Sequence, residues 1–195
     1  MTLNTPSSFP LGRLAALALV TVLASCGGFT AVSIGGTVTN LTGTGLTIAN
    51  AGKSLAIPAG ATSFTFPDQV EIRSPYSVSV VTQPAQQTCN IFNTDGIAGA
   101  APVTIVNIQC SANVYFLGGT ITGLKGANLK LTNGSDQLLV AAGATTFTMP
   151  LRVADGSVYG VTVLAQPDGQ SCAVTANGTG TMQNADRFNV QVTCQ

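Results

Sequence analysis

A stretch in the middle of this chain is written twice. Residues 35–89 run GGTVTNLTGTGLTIAN through IPAGATSFTFP and YSVSVVTQP to Thr88-Cys89. Residues 118–172 run GGTITGLKGANLKLTN through VAAGATTFTMP and YGVTVLAQP to Ser171-Cys172. At a constant offset of 83, 25 of these 55 positions are identical, from Gly35 and Gly118 to Cys89 and Cys172. Each copy then reaches a second cysteine, Cys110 or Cys194, so only Cys26 is left over. A unit repeated at this length is expected to fold as a unit. The chain therefore divides into two small domains, residues 33–110 and residues 114–194, joined by a short linker. Roughly eighty residues bury only a modest core, and small exported domains often add disulfides for that reason.

The hydrophobic period within each copy is two. Phe64-Thr65-Phe66 matches Phe147-Thr148-Met149, and Tyr76, Val78 and Val80 alternate with Ser77 and Ser79. Tyr159, Val161 and Val163 repeat that pattern, and Phe188, Val190, Val192 and Cys194 alternate with Asn189, Gln191 and Thr193. Such alternation describes strands with one face in a core and one in water. Gly, Asn and Pro clusters punctuate the runs at Thr42–Gly45, Asn50–Gly52, Pro58–Gly60, Pro84–Gln86, Asn133–Gly134 and Asn177–Gly178. The fold expected is all-β, two tandem seven-stranded sandwiches of immunoglobulin-like or transthyretin-like topology after a signal peptide. The same alternation places the tyrosines and phenylalanines in the core rather than on a sugar-binding face.

Four cysteines allow three pairings, and duplication favours pairing within each copy: Cys89–Cys110 and Cys172–Cys194. A hairpin of consecutive strands is expected to bring each pair together.

Residues 1–25 read as a targeting segment. Arg13 is the only charged side chain before Lys53, and it precedes an eleven-residue apolar-rich run, Leu14 to Ala24. That length suits a signal-peptide core and falls short of the roughly 20 residues needed to span a bilayer. Next comes Leu23-Ala24-Ser25-Cys26-Gly27, which resembles a bacterial lipobox. The resemblance implies cleavage before Cys26 and attachment of a diacylglycerol to its sulfur. Anchoring through two or more acyl chains is stable, at about 0.8 kcal/mol per buried methylene. Residues 26–32 then form a lipidated tether, whose loose part from Gly27 to Ala31 reaches roughly 17 Å at full extension. Gly27, rather than aspartate, follows the cysteine. By the same resemblance this favours the outer membrane where the cell has one.

The repeat itself resembles the β-sandwich modules of bacterial surface proteins, among them collagen-adhesin B-type and carboxypeptidase-regulatory-like domains. It is more closely similar to a module of uncharacterised bacterial lipoproteins with GGTV near its start, a QPxxQxC segment and a terminal cysteine. Gln83-Pro84-Ala85-Gln86-Gln87-Thr88-Cys89 and Gln166-Pro167-Asp168-Gly169-Gln170-Ser171-Cys172 carry that likeness. It implies no activity, and the Lys/Asn/acid set of isopeptide-bonded adhesins is absent at matching positions.

Chemistry is sparse. With no histidine, the chain lacks Ser-His-Asp catalysis and every His-based zinc site. No C-x-x-C, phosphate loop, dinucleotide fingerprint or nucleophile elbow is present. With Arg13 removed, six basic residues face seven acidic ones, a net charge of −1, so no stripe for nucleic acid exists. The acids are Asp68, Glu71, Asp95, Asp136, Asp155, Asp168 and Asp186. Asp155-Gly156 and Asp168-Gly169 read as turns rather than calcium loops. Across the aligned span no charged residue is shared by the copies: Lys53 faces Asp136, Asp68 faces Leu151, and Glu71 faces Ala154. The Asn-x-Ser/Thr sequons at Asn40, Asn133 and Asn177 read as turns. These features predict no catalytic residue, no metal and no cofactor. The expectation is a non-enzymatic envelope lipoprotein serving as a structural, spacer or interaction module, its partners the membrane and an envelope protein or polysaccharide. The alternative is a carbohydrate-binding, adhesin-like lipoprotein. An envelope hydrolase would need facing carboxylates, for which the Asp68/Glu71 pair is the nearest candidate.

Overall fold

The computed structural model describes residues 30–195, and every regular element in that span is a strand. The first repeat contains β1 (Ala31–Val32), β2 (Ile34–Thr39), β3 (Leu46–Asn50), β4 (Lys53–Ile57) and β5 (Ser63–Thr65). It continues through β6 (Val70–Glu71), β7 (Pro75–Thr82), β8 (Gln87–Phe92), β9 (Asp95–Ile97) and β10 (Val103–Ala112). The second repeat contains β11 (Val114–Tyr115), β12 (Leu117–Thr122), β13 (Lys130–Asn133), β14 (Asp136–Leu139) and β15 (Thr146–Thr148). It ends with β16 (Val153–Ala154), β17 (Val158–Ala165), β18 (Cys172–Ala176), β19 (Thr179–Thr181) and β20 (Arg187–Cys194). The fold is all-β, as the period of two predicts. The seven runs anticipated per copy are divided more finely, because two-residue strands and a strand that changes sheets interrupt them.

Each repeat is a sandwich of two four-stranded sheets. The first has the orders β5-β2-β10-β8 and β4-β3-β7-β9; the second has β15-β12-β20-β18 and β14-β13-β17-β19. A short ribbon, β1-β6 or β11-β16, leads into each. Within a repeat the first long strand runs parallel to the last, β2 against β10 and β12 against β20. All other pairings are antiparallel. Between β8 and β10 the chain does not form a simple hairpin. It crosses to the opposite sheet as β9 and returns, and β19 repeats the excursion.

Alternation delivers one face of each strand to the core. Leu46 and Ile48 of β3, Tyr76 and Val78 of β7, and Val106 and Ile108 of β10 are buried in the first sandwich. Leu129 and Leu131, Tyr159 and Val161, and Val190 and Val192 are buried in the second, with Met182. Burying a side chain of this size stabilises by about 1.5–3 kcal/mol. The two clusters share no residue, so each repeat closes on its own core.

The repeated Gly-Gly at the start of β2 and β12 has a packing cause. A Cβ on Gly36 would overlap the carbonyl oxygen of Val106, and one on Gly119 that of Val190. Both carbonyls belong to the parallel neighbour strand where its register shifts, between Val103 and Val106 and between Arg187 and Val190. An irregularity in a parallel pair brings one backbone onto the other, and only glycine fits beneath it.

Candidate functional site at the module junction

Cys26, the expected lipidation site, and the residues after it up to Phe29 lie outside the described residues. Within them, Cys89 bonds Cys110 with an S–S distance of 2.02 Å, and Cys172 bonds Cys194 at 1.98 Å. Each pair sits directly opposite across an antiparallel ladder, β8 against β10 or β18 against β20.

The amide side chains retained in both copies of the aligned span serve the backbone. Gln87 Oε1 accepts the N–H groups of Thr42 and Gly43 at 2.8 and 2.7 Å, while its Nε2 donates to Asn40 O at 2.8 Å. Gln170 does the same with Lys125, Gly126 and Gly123. Gln83 bonds both the N–H and the carbonyl of Cys89, and Gln166 those of Cys172. Asn50 accepts the N–H of Ser77 at 3.0 Å, and Asn133 that of Gly160 at 2.8 Å. These amides stand in for ladder partners where loops leave the sheets, satisfying groups that are costly to bury unpaired.

The acids are dispersed. Asp95 accepts from Thr94, Asp136 from the N–H of Leu151, and Asp168 from Asn128. Asp68 lines a shallow cleft with Asn50 and Lys53, while Glu71 belongs to β6 against Ala31. Gly156 and Gly169 both have positive φ, the turn role read for Asp155-Gly156 and Asp168-Gly169. Asn40 and Asn177 also take positive φ, and Asn133 ends β13 at its hairpin. Among the described residues no group of three His, Cys, Asp or Glu side chains is placed to hold a metal ion.

Side chains and backbone groups of the two repeats meet at the linker. Asn113 is the only residue between β10 and β11, and both of its backbone groups are used. Its N–H donates to Gln86 O of the first module at 3.0 Å, and its carbonyl accepts the N–H of Asp155 of the second at 2.8 Å. Its Oδ1 accepts the hydroxyl of Thr88 at 2.7 Å. The Gln86 side chain lies against Gly156, so closely that a Cβ there would overlap it. The linker is thus pinned from both sides.

Beside this contact opens a cleft of about 480 Å³, lined by Gln86, Asp155, Thr181, Gln183 and Asn184 among others. Asp155 Oδ1 accepts the N–H of Asn184 at 3.0 Å. A second cleft of about 330 Å³ shares Gln183 and continues along Asp186, Arg187, Phe188 and Asn189. Asp186 Oδ1 accepts the N–H of Phe116 at 2.8 Å, and Arg187 Nη2 donates to Gln183 at 3.1 Å. Phe188 corrects the sequence expectation that places the phenylalanines in the core. Its side chain is 52% exposed. Three residue steps along β20, from Arg187 to Val190, match two along β12, from Leu117 to Gly119, so the extra residue turns Phe188 outward. Phe92 of β8, 48% exposed, faces solvent as well.

No protein-family model matches the chain, and no curated protein matches it. Among solved structures, a streptococcal ancillary pilin is similar over 84% of this chain and 62% of its own, with 14% identity and a TM-score of 0.32. The chain therefore spans less than two thirds of that pilin. The shaft pilin SpaA from Lactobacillus rhamnosus GG is similar over 85% of this chain and 98% of its own, with 12% identity and a TM-score of 0.30. A major pilin protein from Streptococcus pyogenes is similar over 85% and 96%, with 8% identity and a TM-score of 0.29.

Proposed function

We propose that this chain is a bacterial envelope lipoprotein, held to the membrane through Cys26, whose two sandwiches act without catalysis as a stiff structural or interaction module. One observation carries the reading. The amide side chains retained in both copies of the aligned span, Gln83, Gln87 and Asn50 with their counterparts Gln166, Gln170 and Asn133, bond to the protein's own backbone. What duplication preserved is framework. The pinned linker supports the mechanical half of the proposal, since two modules bonded through Asn113 transmit orientation as a flexible tether does not. The lipobox-like Leu23-Ala24-Ser25-Cys26 and the short stretch after it support a first module held close to the bilayer, and the outer membrane is the proposed location.

The test is complementation of a deletion strain. Variants replacing Asp68, Glu71, Asp95, Asp136 or Asp168 one at a time should restore the phenotype. Cys26→Ser should not, and it should also prevent recovery of a diacylated N-terminus by mass spectrometry. A single exposed carboxylate that proves essential while folding and anchoring persist would point to an enzyme instead. A correctly exported protein with unmodified Cys26 would reject the anchor.

A further inference from the structure

The second repeat carries a set of side chains that the first lacks, on a backbone that the two share. Met182 N donates to Ser157 O and Gly156 N to Met182 O, and in the first repeat Ala98 N donates to Ser74 O and Arg73 N to Ala98 O. Downstream, Arg187 N donates to Phe116 O as Val103 N does to Ser33 O. Residues 98–104 and 182–188 are therefore the same loop, held at the same points. In the first repeat that loop reads Ala-Gly-Ala-Ala-Pro-Val-Thr; in the second it reads Met-Gln-Asn-Ala-Asp-Arg-Phe. Small and apolar residues suffice to close the sandwich, as the first copy demonstrates. The second copy adds polar, charged and aromatic side chains there, of which Asp186 also accepts a backbone N–H, from Phe116.

They also line one continuous surface. Gln183 belongs to both clefts, which join the junction residues Gln86 and Asp155 to Arg187 and Phe188. One end presents planar amides and a carboxylate, groups able to donate and accept in pairs. Asp155 holds Asn184 with Oδ1, and Oδ2 makes no hydrogen bond among the described residues. The other end presents the half-exposed ring of Phe188, packed at 3.0 Å against the position a Gly118 Cβ would take. Between them, Arg187 Nε is buried without a hydrogen-bond partner among the described residues. Two acids and one base line the strip, so it has no strong charge with which to select an anionic or cationic polymer.

We infer that this strip, from Gln86 and Asp155 across Gln183 and Asn184 to Arg187 and Phe188, binds a linear uncharged oligosaccharide. Sugar hydroxyl and acetamido groups suit the paired amide and carboxylate partners, and the apolar face of a pyranose suits the flat ring. The length of the strip favours a chain of sugars over a single one. Binding at this strip is independent of lipid attachment, so its failure leaves the anchored-module reading to be judged by Cys26 alone.

The experiment is ¹⁵N NMR titration of the full chain with two probes, the hexamers of β-1,4-linked N-acetylglucosamine and β-1,4-linked glucose. At least one should give saturable shifts at Gln86, Asp155 and residues 181–189, with none at residues 98–104. Phe188→Ala should weaken binding at least tenfold, while Phe188→Trp retains it. Phe92→Ala, the exposed phenylalanine of the first module, should leave it unchanged. Because Phe188 is exposed, an unaltered spectrum elsewhere verifies the fold. The inference is overturned if neither hexamer shifts these residues, if Phe188→Ala binds as tightly as the parent, or if Phe188→Trp binds no better than Phe188→Ala.

Discussion

Gln87 is 6% exposed, and its amide bonds three backbone groups of the loop that follows β2. Truncation strands two N–H groups and a carbonyl at once, and each buried unpaired group costs about 1–3 kcal/mol. Gln87→Ala should therefore lower the stability of the first module by about 2–4 kcal/mol in urea denaturation, and Gln170→Ala, less buried, should cost the second module less. A change in the opposite direction is expected at Ala51. The β3–β4 hairpin turns on Ala51 and Gly52, both at positive φ, 48° and 78°. Alanine is poorly suited to that conformation and asparagine well suited. Ala51→Asn should raise stability by about 0.5–1 kcal/mol in the same measurement. The sequence displayed the Gln-Pro-x-x-Gln-x-Cys motif in both copies without displaying its purpose. Hydrogen bonds to residues 44 to 47 positions away leave no local pattern.

Strands were legible from alternation, and the exceptions are bulges, where an extra residue breaks parity. Phe188 has the same parity as the buried Val190 yet faces solvent. A second bulge hid the decorated loop. Cys172, Ala173 and Val174 pair with Cys194, Thr193 and Val192, but Ala176 rather than Thr175 meets Gln191. The first copy runs straight there, Cys89 through Phe92 opposite Cys110 through Asn107. Thr175 is thus the inserted residue that changes the offset from 83 to 84, and a comparison at constant offset stops before the loops that differ. Deleting Thr175 should restore the first copy's register and change stability by less than about 1 kcal/mol, with Val174 still opposite Val192 in the NMR contact pattern. Removing the neighbouring disulfide is a larger change. On the chain-entropy model, closing a loop of this length contributes about 3 kcal/mol. The Cys172→Ser/Cys194→Ser double variant should lose about that much from the second module and leave the first module's transition in place.

At the scale of the whole molecule, the two cores are separate and the connection between them is a single residue bonded on both sides. The repeat and the short linker made the two-module plan readable from sequence. The double use of Asn113, and the fit of Gln86 against Gly156, arise from residues far apart in the chain and could not be read there. That the molecule works as one stiff body is the central claim, and a distance distribution tests it directly. Spin labels would be placed as unnatural residues at Ser54 and Gln137, exposed and equivalent sites on β4 and β14. Pulsed electron–electron resonance should give one narrow distance population in the native chain. It should broaden when a Gly-Ser pair is inserted after Asn113. A broad or multiple distribution in the native chain, unchanged by that insertion, would contradict the account.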